Sequence, residues 1–432
     1  MALRRYSQMR GGNLTTEITI NGGPSPTTNY LGWVPVPAQI RLTGPAATGP
    51  VTVTLRNKTP AAGGRVVFLP EANLQAASTL QLRLPANGTP VSFLVAGRFQ
   101  QPSKEDGDAA IEVIDSATRK RSSITRLMVR VRKDATKLTT GERDRFLAAI
   151  ATLNDRGMGK FSDFRNVHSE AGIAEAHGNA GFLPWHRAFI LDLERELQRI
   201  DPSVALPYWR FDRPARKLFT RSFFGVAEAA TGTVLFGSDN PLQFWATDGV
   251  PGIVRGPGFN ARTQAPALVI DEANTLLRGG PAASYQAFRH MEGNPHGTAH
   301  VSFSGFISEL ATAARDPLFF LLHANVDRLW AKWQWLNHRF DVTNALSYQY
   351  LGAAGDPGST RIGHNLHDTM WPWNQITGGL RPPTAPGGTF PPSMLTSAPG
   401  LEPAVGHLVD YQGINTAVDR LSFDYDDVPF EA

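Results

Sequence analysis

Six of the chain's eleven histidines fall into two groups of three: His168, His177, His186 and His296, His300, His323. A neutral imidazole offers one nitrogen lone pair to a metal, so two such groups can hold two ions side by side. The chain contains no cysteine. Any ligand set is therefore nitrogen-only, and disulfides, thiolate sites and thiol nucleophiles are excluded. Imidazole suits copper, zinc, iron or nickel.

The spacing of each group predicts the elements that carry it. His296 and His300 are four residues apart, so on a helix they share one face and can grip one ion. The run between them is HGTAH rather than HExxH, which removes the general base of a zinc protease. His323 falls on a second helix, with Asp316 as N-cap and Pro317 at the first helical position. Leu318, Leu321, Leu322, Val326, Leu329, Trp330 and Trp333 make that helix strongly apolar, so it should be buried. A buried histidine needs a hydrogen bond or a metal. Asp327, one turn on, is expected to support the site behind His323.

The members of the first group are nine residues apart. His186 opens an amphipathic helix running from Leu183 to about Ile200, His177 lies in a loop marked by Gly178 and Asn179, and His168 ends another helix after Phe161, Phe164 and Val167. One histidine on an apolar face is more often a hydrogen-bonded core residue than a ligand. Two triplets, each with a member on a buried helix, are harder to explain that way. His290, His338, His364, His367 and His407 are read as non-ligands, His290 being the nearest competitor because it is close to His296.

These elements sit in a chain of 432 residues, long enough for two or three domains and a large core. Hydrophobic content of 41% against 19% charged is a globular balance, and a net charge of +4 without a dense basic block gives no reason to expect nucleic-acid binding. No run of about 18 apolar residues spans a bilayer. The start, MALRRYSQMRGGNL, has no apolar stretch of a signal peptide, which favours the cytoplasm without fixing the compartment.

Residues 1–134 read as an all-β, sandwich-like unit. Alternating runs recur at Thr15–Ile20, Val36–Leu42, Val51–Arg56, Arg65–Leu69, Thr79–Leu84, Val91–Ala96, Ala110–Ile114 and Ile124–Val131. The period changes near 135, where Thr139 and Glu142 form a capping-box pattern ahead of Phe146, Leu147, Ile150 and Leu153. Residues 135–432 form the second, mainly helical part. Within it, 225–282 is irregular with a short helix at Asp271–Leu277, and 340–432 is Gly/Pro-rich, with strand-like runs near 406–411 and 419–425.

At the histidines the chain resembles the type 3 copper family of tyrosinases, catechol oxidases and haemocyanins. FLPWHRAFILDLERELQ (182–198), followed by LPYWRFD (206–212), resembles the first-copper region, and DPLFFLLHANVDRLWAKWQ (316–334) the second. LSFDYDDVPF (421–430) resembles the aromatic-x-Tyr motif of plant-type catalytic cores, here Phe423 to Tyr425. The resemblance covers roughly 135–432 and implies a four-helix bundle holding two copper ions, one on His168, His177 and His186, the other on His296, His300 and His323. It also implies oxidation of phenols and o-diphenols to o-quinones, with O2 as oxidant and water as the other product.

The resemblance assigns further positions. Glu292 matches a water-holding glutamate. Gly297 stands where many efficient monophenol hydroxylases carry Asn, Val301 follows a ligand, and Leu310 occupies the place of a bulky Phe gate, leaving the pocket more open. Diphenols are expected to be favoured over monophenols. A thioether to the second ligand, present in some relatives, cannot form without cysteine, and Leu322 stands where plant members carry an additional histidine. No shielding domain is expected after the Tyr425 motif. The alternatives are a haemocyanin-like O2-binding protein and an o-aminophenol oxidase of the same family. A dinuclear zinc or iron hydrolase is disfavoured for want of bridging carboxylates. The oligomeric state and the role of 1–134 stay open.

Overall fold

Period-two alternation in the first part of the chain becomes strands whose apolar residues share one face. In Val36–Leu42, for example, Val36, Ala38 and Ile40 are buried while Pro37, Gln39 and Arg41 are exposed or partly so. The structure is a computed structural model that describes residues 14–22, 29–43, 49–58, 63–70, 75–169, 173–256, 269–352 and 362–430. The chain divides into two compact units, Met1–Val129 and Arg130–Ala432. The N-terminal stretch 1–13 and the Asp356-Pro-Gly turn lie outside the described residues.

The first unit carries nine strands among its described residues. They are β1 (Thr16–Ile20), β2 (Asn29–Leu31), β3 (Val36–Leu42), β4 (Val51–Asn57), β5 (Val66–Leu69), β6 (Thr79–Leu84), β7 (Val91–Gly97), β8 (Ala109–Asp115) and β9 (Arg121–Val129). One sheet has the order β1-β3-β7-β5 and the other β2-β9-β8-β4-β6. Eight of these strands match the expected runs to within a few residues. β2 was missed because it is only three residues long and pairs parallel to β9, so it leaves neither an alternating run nor a hairpin turn in the sequence. Val53, Leu55, Ile111, Val113 and Leu127 form the buried side of the five-stranded sheet.

In the second unit most helices appear where the 3.6-residue period and caps placed them, while two four-residue helices, Ile173–Ala176 and Tyr285–Phe288, were not expected. The helices are α1 (Thr140–Asn154), α2 (Phe161–Val167), α3 (Ile173–Ala176), α4 (Phe182–Ile200), α5 (Glu272–Leu276), α6 (Tyr285–Phe288), α7 (Thr298–His300) and α8 (Leu318–Asn337). Thr139 and Glu142 form the reciprocal capping box of α1. The Asp316 carboxylate accepts from Leu318 N at 2.9 Å ahead of α8 and is fixed by Arg255, at 2.6 Å to each oxygen. Asp271 caps α5.

One expectation is extended and one needs correction. α4 has the expected apolar and polar sides, yet every residue from Phe182 to Leu197 is buried. Its polar side faces protein partners instead of water: Glu194 pairs with Arg132, and Asp192 accepts from the Trp373 indole. The runs near 406–411 and 419–425 are not strands. They form short 3-10 turns, Val405–Leu408 and Ala417–Asp419, and a single bridge from Tyr425 to Arg132. Alternation there reflects Leu408, Tyr411, Leu421, Phe423 and Tyr425 inserting into the helical core, which mimics a strand pattern without a partner strand. α4 packs against both α8 and α1, so the two longest helices lie in the centre of this unit.

Candidate metal centre

His168 is the C-cap of α2, and its N–H donates to the Phe164 carbonyl at 3.2 Å. His177 follows α3 in a loop that turns at Gly178, whose φ of 74° favours glycine. His186 sits in the second turn of α4 and His323 in the second turn of α8. His296 lies in a π-helical turn, Gly293–Gly297, that runs into α7, which ends at His300. All six expected residues therefore come together in two triads, and the candidate ligand atoms within each triad lie within 4.8 Å of one another. Five of the six are buried, and His177 is half-buried.

Hydrogen bonding sets the tautomers. Nδ1 of His186 lies 2.9 Å from the Phe182 carbonyl, Nδ1 of His296 2.8 Å from that of Glu292, and Nδ1 of His300 2.8 Å from that of Ile307. A carbonyl can only accept, so these Nδ1 atoms carry the proton and Nε2 carries the lone pair. Nε2 of His296 and of His300 lie 3.3 and 3.2 Å from His323 Nε2. Converging lone pairs repel unless a cation sits among them. Nitrogens bound to one ion at about 2.0–2.1 Å with near-tetrahedral angles stand roughly 3.3 Å apart. In the first triad, Nε2 of His168 and of His186 are buried with no protein hydrogen-bond partner. A nitrogen-liganded metal fits both triads.

Burial keeps these imidazoles neutral. It pushes His168 down to about 3 and His300 to about 4, and holds His186, His296 and His323 well below the usual histidine range. Neighbouring imidazoles add to the depression in His168, His186, His296 and His323. Each of these rings is therefore a ready donor at neutral pH.

The triads face each other through stacked rings of His186 and His323, 4.2 Å between centroids and 10° apart in plane. Two phenylalanines that sequence reasoning missed hold them. Phe182 packs on His177, His186, His296 and His323. Phe319 packs on His168, His186, His300 and His323. Each lies one turn before a histidine of its own helix, Phe182 before His186 and Phe319 before His323. That shared four-residue spacing was the available signal.

Asp327, expected to support the site behind His323, does so through partners other than a histidine. Its carboxylate accepts from Arg187 Nε at 2.5 Å, Arg132 Nη1 at 3.1 Å and the Tyr425 hydroxyl at 2.6 Å. It supports the centre by locking α4, through Arg187 beside His186, to α8. Glu292 is half-buried, and Oε1 accepts from Gly178 N at 2.8 Å. Burial raises its carboxyl to about 7. Glu292 thus meets His296 by its carbonyl and, by its carboxylate, the backbone of Gly178 next to His177. A Cβ at Gly297 would meet only the Glu292 carbonyl, at 3.3 Å. Val301 and Leu310 are 65% and 41% exposed. His290, His338, His364, His367 and His407 stand outside both triads. His364 accepts from Gly181 N at the start of α4, and His407 from Ala404 N.

Residues 158–336, which include all six histidines, match the family profile described as the common central domain of tyrosinase. The tyrosinase of Streptomyces glaucescens is 35% identical over 283 residues, covering 57% of this chain and 93% of that protein. The chain belongs to the tyrosinase family. It is a type 3 copper polyphenol oxidase. Grixazone synthase of Streptomyces griseus is 28% identical over 48% of this chain and 85% of that protein. A functional unit of octopus haemocyanin aligns with a TM-score of 0.45 at 21% identity, covering 70% of this chain and 69% of that one. Among the described residues of this family member, no helix is long and apolar enough to cross a membrane.

Proposed function

We propose that the chain oxidises o-diphenols, and more slowly monophenols, to o-quinones at a pair of copper ions. His168, His177 and His186 hold one ion, and His296, His300 and His323 the other. The reading rests on the two facing triads of neutral imidazoles. It takes α4 and α8 as the centre of a four-helix bundle and the two N-terminal sheets as a sandwich. When bound, copper supplies the redox chemistry that passes electrons from the phenol to O2. The chain's own residues position and deprotonate. Neutral imidazoles leave the loaded site positively charged, which favours a phenolate. Glu292, beside Gly178 and His296, is placed to orient a water that takes the phenol proton. Val301, which follows His300, and Leu310 are exposed apolar side chains, and we take them as the ones that receive an aromatic ring.

The exposure of these two side chains supports an enzyme rather than a haemocyanin-like carrier, which needs a covered site. Neither the fold nor the relatives support the cytoplasmic expectation. Oxygen uptake with a panel of monophenols, catechols and o-aminophenols, with and without a copper chelator, tests the reading. Copper-dependent uptake, fastest with catechols, is the expected result. Reversible O2 binding without turnover overturns it in favour of a carrier, and faster uptake with o-aminophenols overturns the diphenol preference.

A further inference from the structure

His177 differs from the other five histidines in how it is held. His168, His186, His296, His300 and His323 lie within or at the end of helical turns and are buried, whereas His177, directly after α3, opens a loop and is half-buried. The helix before it, α3, is four residues long and too short to be stable alone. Its position must come from elsewhere in the chain.

The contacts of this loop identify the source. Glu175, two residues before His177, is 5% exposed and forms a two-point ion pair with Arg381, itself 7% exposed. Arg381 Nε lies 2.8 Å from Glu175 Oε2, and Nη2 3.2 Å from Oε1. Glu175 Oε1 also accepts from Trp371 N at 2.9 Å, and Arg381 Nη2 donates to the Thr369 carbonyl at 2.9 Å. Gly363 packs against the same carboxylate. Its φ is +80°, and a Cβ there would fall 2.1 Å from Glu175 Oε1, so only glycine allows the approach. Past His177, Gly181 N donates to His364 Nδ1 at 3.0 Å. The Gly/Pro-rich segment 363–381 therefore braces the loop on both sides of His177.

We propose that Glu175 and Arg381 are positioning residues for His177, and that their ion pair sets how tightly the first triad holds its ion. This rests on the reading of His168, His177 and His186 as one ligand set. A loop fixed before metal arrives does not have to be ordered on binding, so affinity is gained. Loss of groups that orient metal ligands typically costs about 10- to 100-fold in affinity.

The test uses the full chain, stripped of metal and titrated with copper(II) alone against a competing chelator. Wild type should take up two equivalents; fewer than two overturns the ligand assignment itself, separately from the brace. Arg381→Met should weaken one equivalent about 10- to 100-fold and leave the other unchanged. Arg381→Lys should recover part of the loss by keeping one charged donor. In a His177→Ala background, Arg381→Met should have no further effect, because the ligand it positions is gone. Glu175→Gln, which keeps its shape and the acceptor for Trp371 N, is the second variant should Arg381→Met fail to fold. Wild-type affinity at both equivalents in the variants overturns the proposal. So does equal weakening of both with a lowered melting temperature of the metal-free protein, which would mean the pair supports the fold rather than His177.

Discussion

At the residue scale, the centre depends on six lone pairs whose direction is set by the carbonyls of Phe182, Glu292 and Ile307 and by ring packing on Phe182 and Phe319. His323→Ala should lose one copper equivalent and all oxidase activity, measured by metal analysis and oxygen uptake. A fully active variant would sink the assignment. Monophenol turnover also needs a phenol of pKa about 10 to lose its proton. Glu292→Gln keeps an acceptor for Gly178 N but cannot accept the proton from the water it orients, so it should lower the monophenol-to-diphenol rate ratio at unchanged copper content. Glu292→Ala should lower the ratio and also weaken copper binding. Gly297→Asn should raise the ratio by adding an amide that helps orient that water, and a Cβ there meets only the Glu292 carbonyl, at 3.3 Å. An unchanged ratio in all three would refute this account of proton removal.

At the element scale, α4 and α8 are joined by buried charge. Asp327 on α8 serves Arg187 on α4, Arg132 and Tyr425, and Arg132 pairs at two points with Glu194 on α4. Removing one member of a buried set leaves uncompensated charge, which costs about 3–5 kcal/mol. Asp327→Asn should lower unfolding stability by that order in denaturant titration of the metal-free protein. A loss under about 1 kcal/mol would show the network to be dispensable.

A second test on α4 concerns Asp192, which accepts from Trp373 Nε1 at 2.8 Å while its other oxygen is buried without a partner. Burial raises its carboxyl from 3.8 to about 7. The folded state therefore binds the proton more tightly than the unfolded chain. That contribution is fully present below about pH 4 and is lost as pH rises to 7. Asp192→Asn should remove this dependence. The melting temperature of the variant relative to wild type should rise between pH 4 and 7 and level off above it. A difference that is flat across that range would contradict the assignment.

At the scale of the whole molecule, we place the separable catalytic unit at Arg130 rather than a few residues later. Arg132 and Asp134 bond within that unit, Arg132 to Glu194, Asp327 and Tyr425, and Asp134 to Arg213. A chain beginning at Arg130 should fold and bind copper. One beginning at Ala135 should be less stable by about 3–5 kcal/mol, because Glu194 and Asp327 lose the buried guanidinium. Comparing the two by thermal melting and copper content checks the boundary. Equal stability would mean that Arg132 is not needed.

Much of this protein was legible in its sequence because local chemistry recurs with the period of the element. The strand runs, the Thr139–Glu142 box, the Asp316 start of α8 and the two triplets of histidines are all patterns within a few tens of residues. The family resemblance of 182–198 and 316–334 added the metal. Long-range pairing was not legible, since nothing in the spacing says that Asp327 meets Arg187 and Arg132 instead of His323. Tertiary structure alone decided that the polar side of α4 is buried and satisfied, and that the apolar runs after 405 insert singly into a helical core. It alone brought Arg381 to Glu175 across 206 positions to hold the loop of His177. The physical reason is common to these cases: a buried charge or an isolated apolar side chain is stable only when a distant segment covers it, and the sequence records the need without the partner.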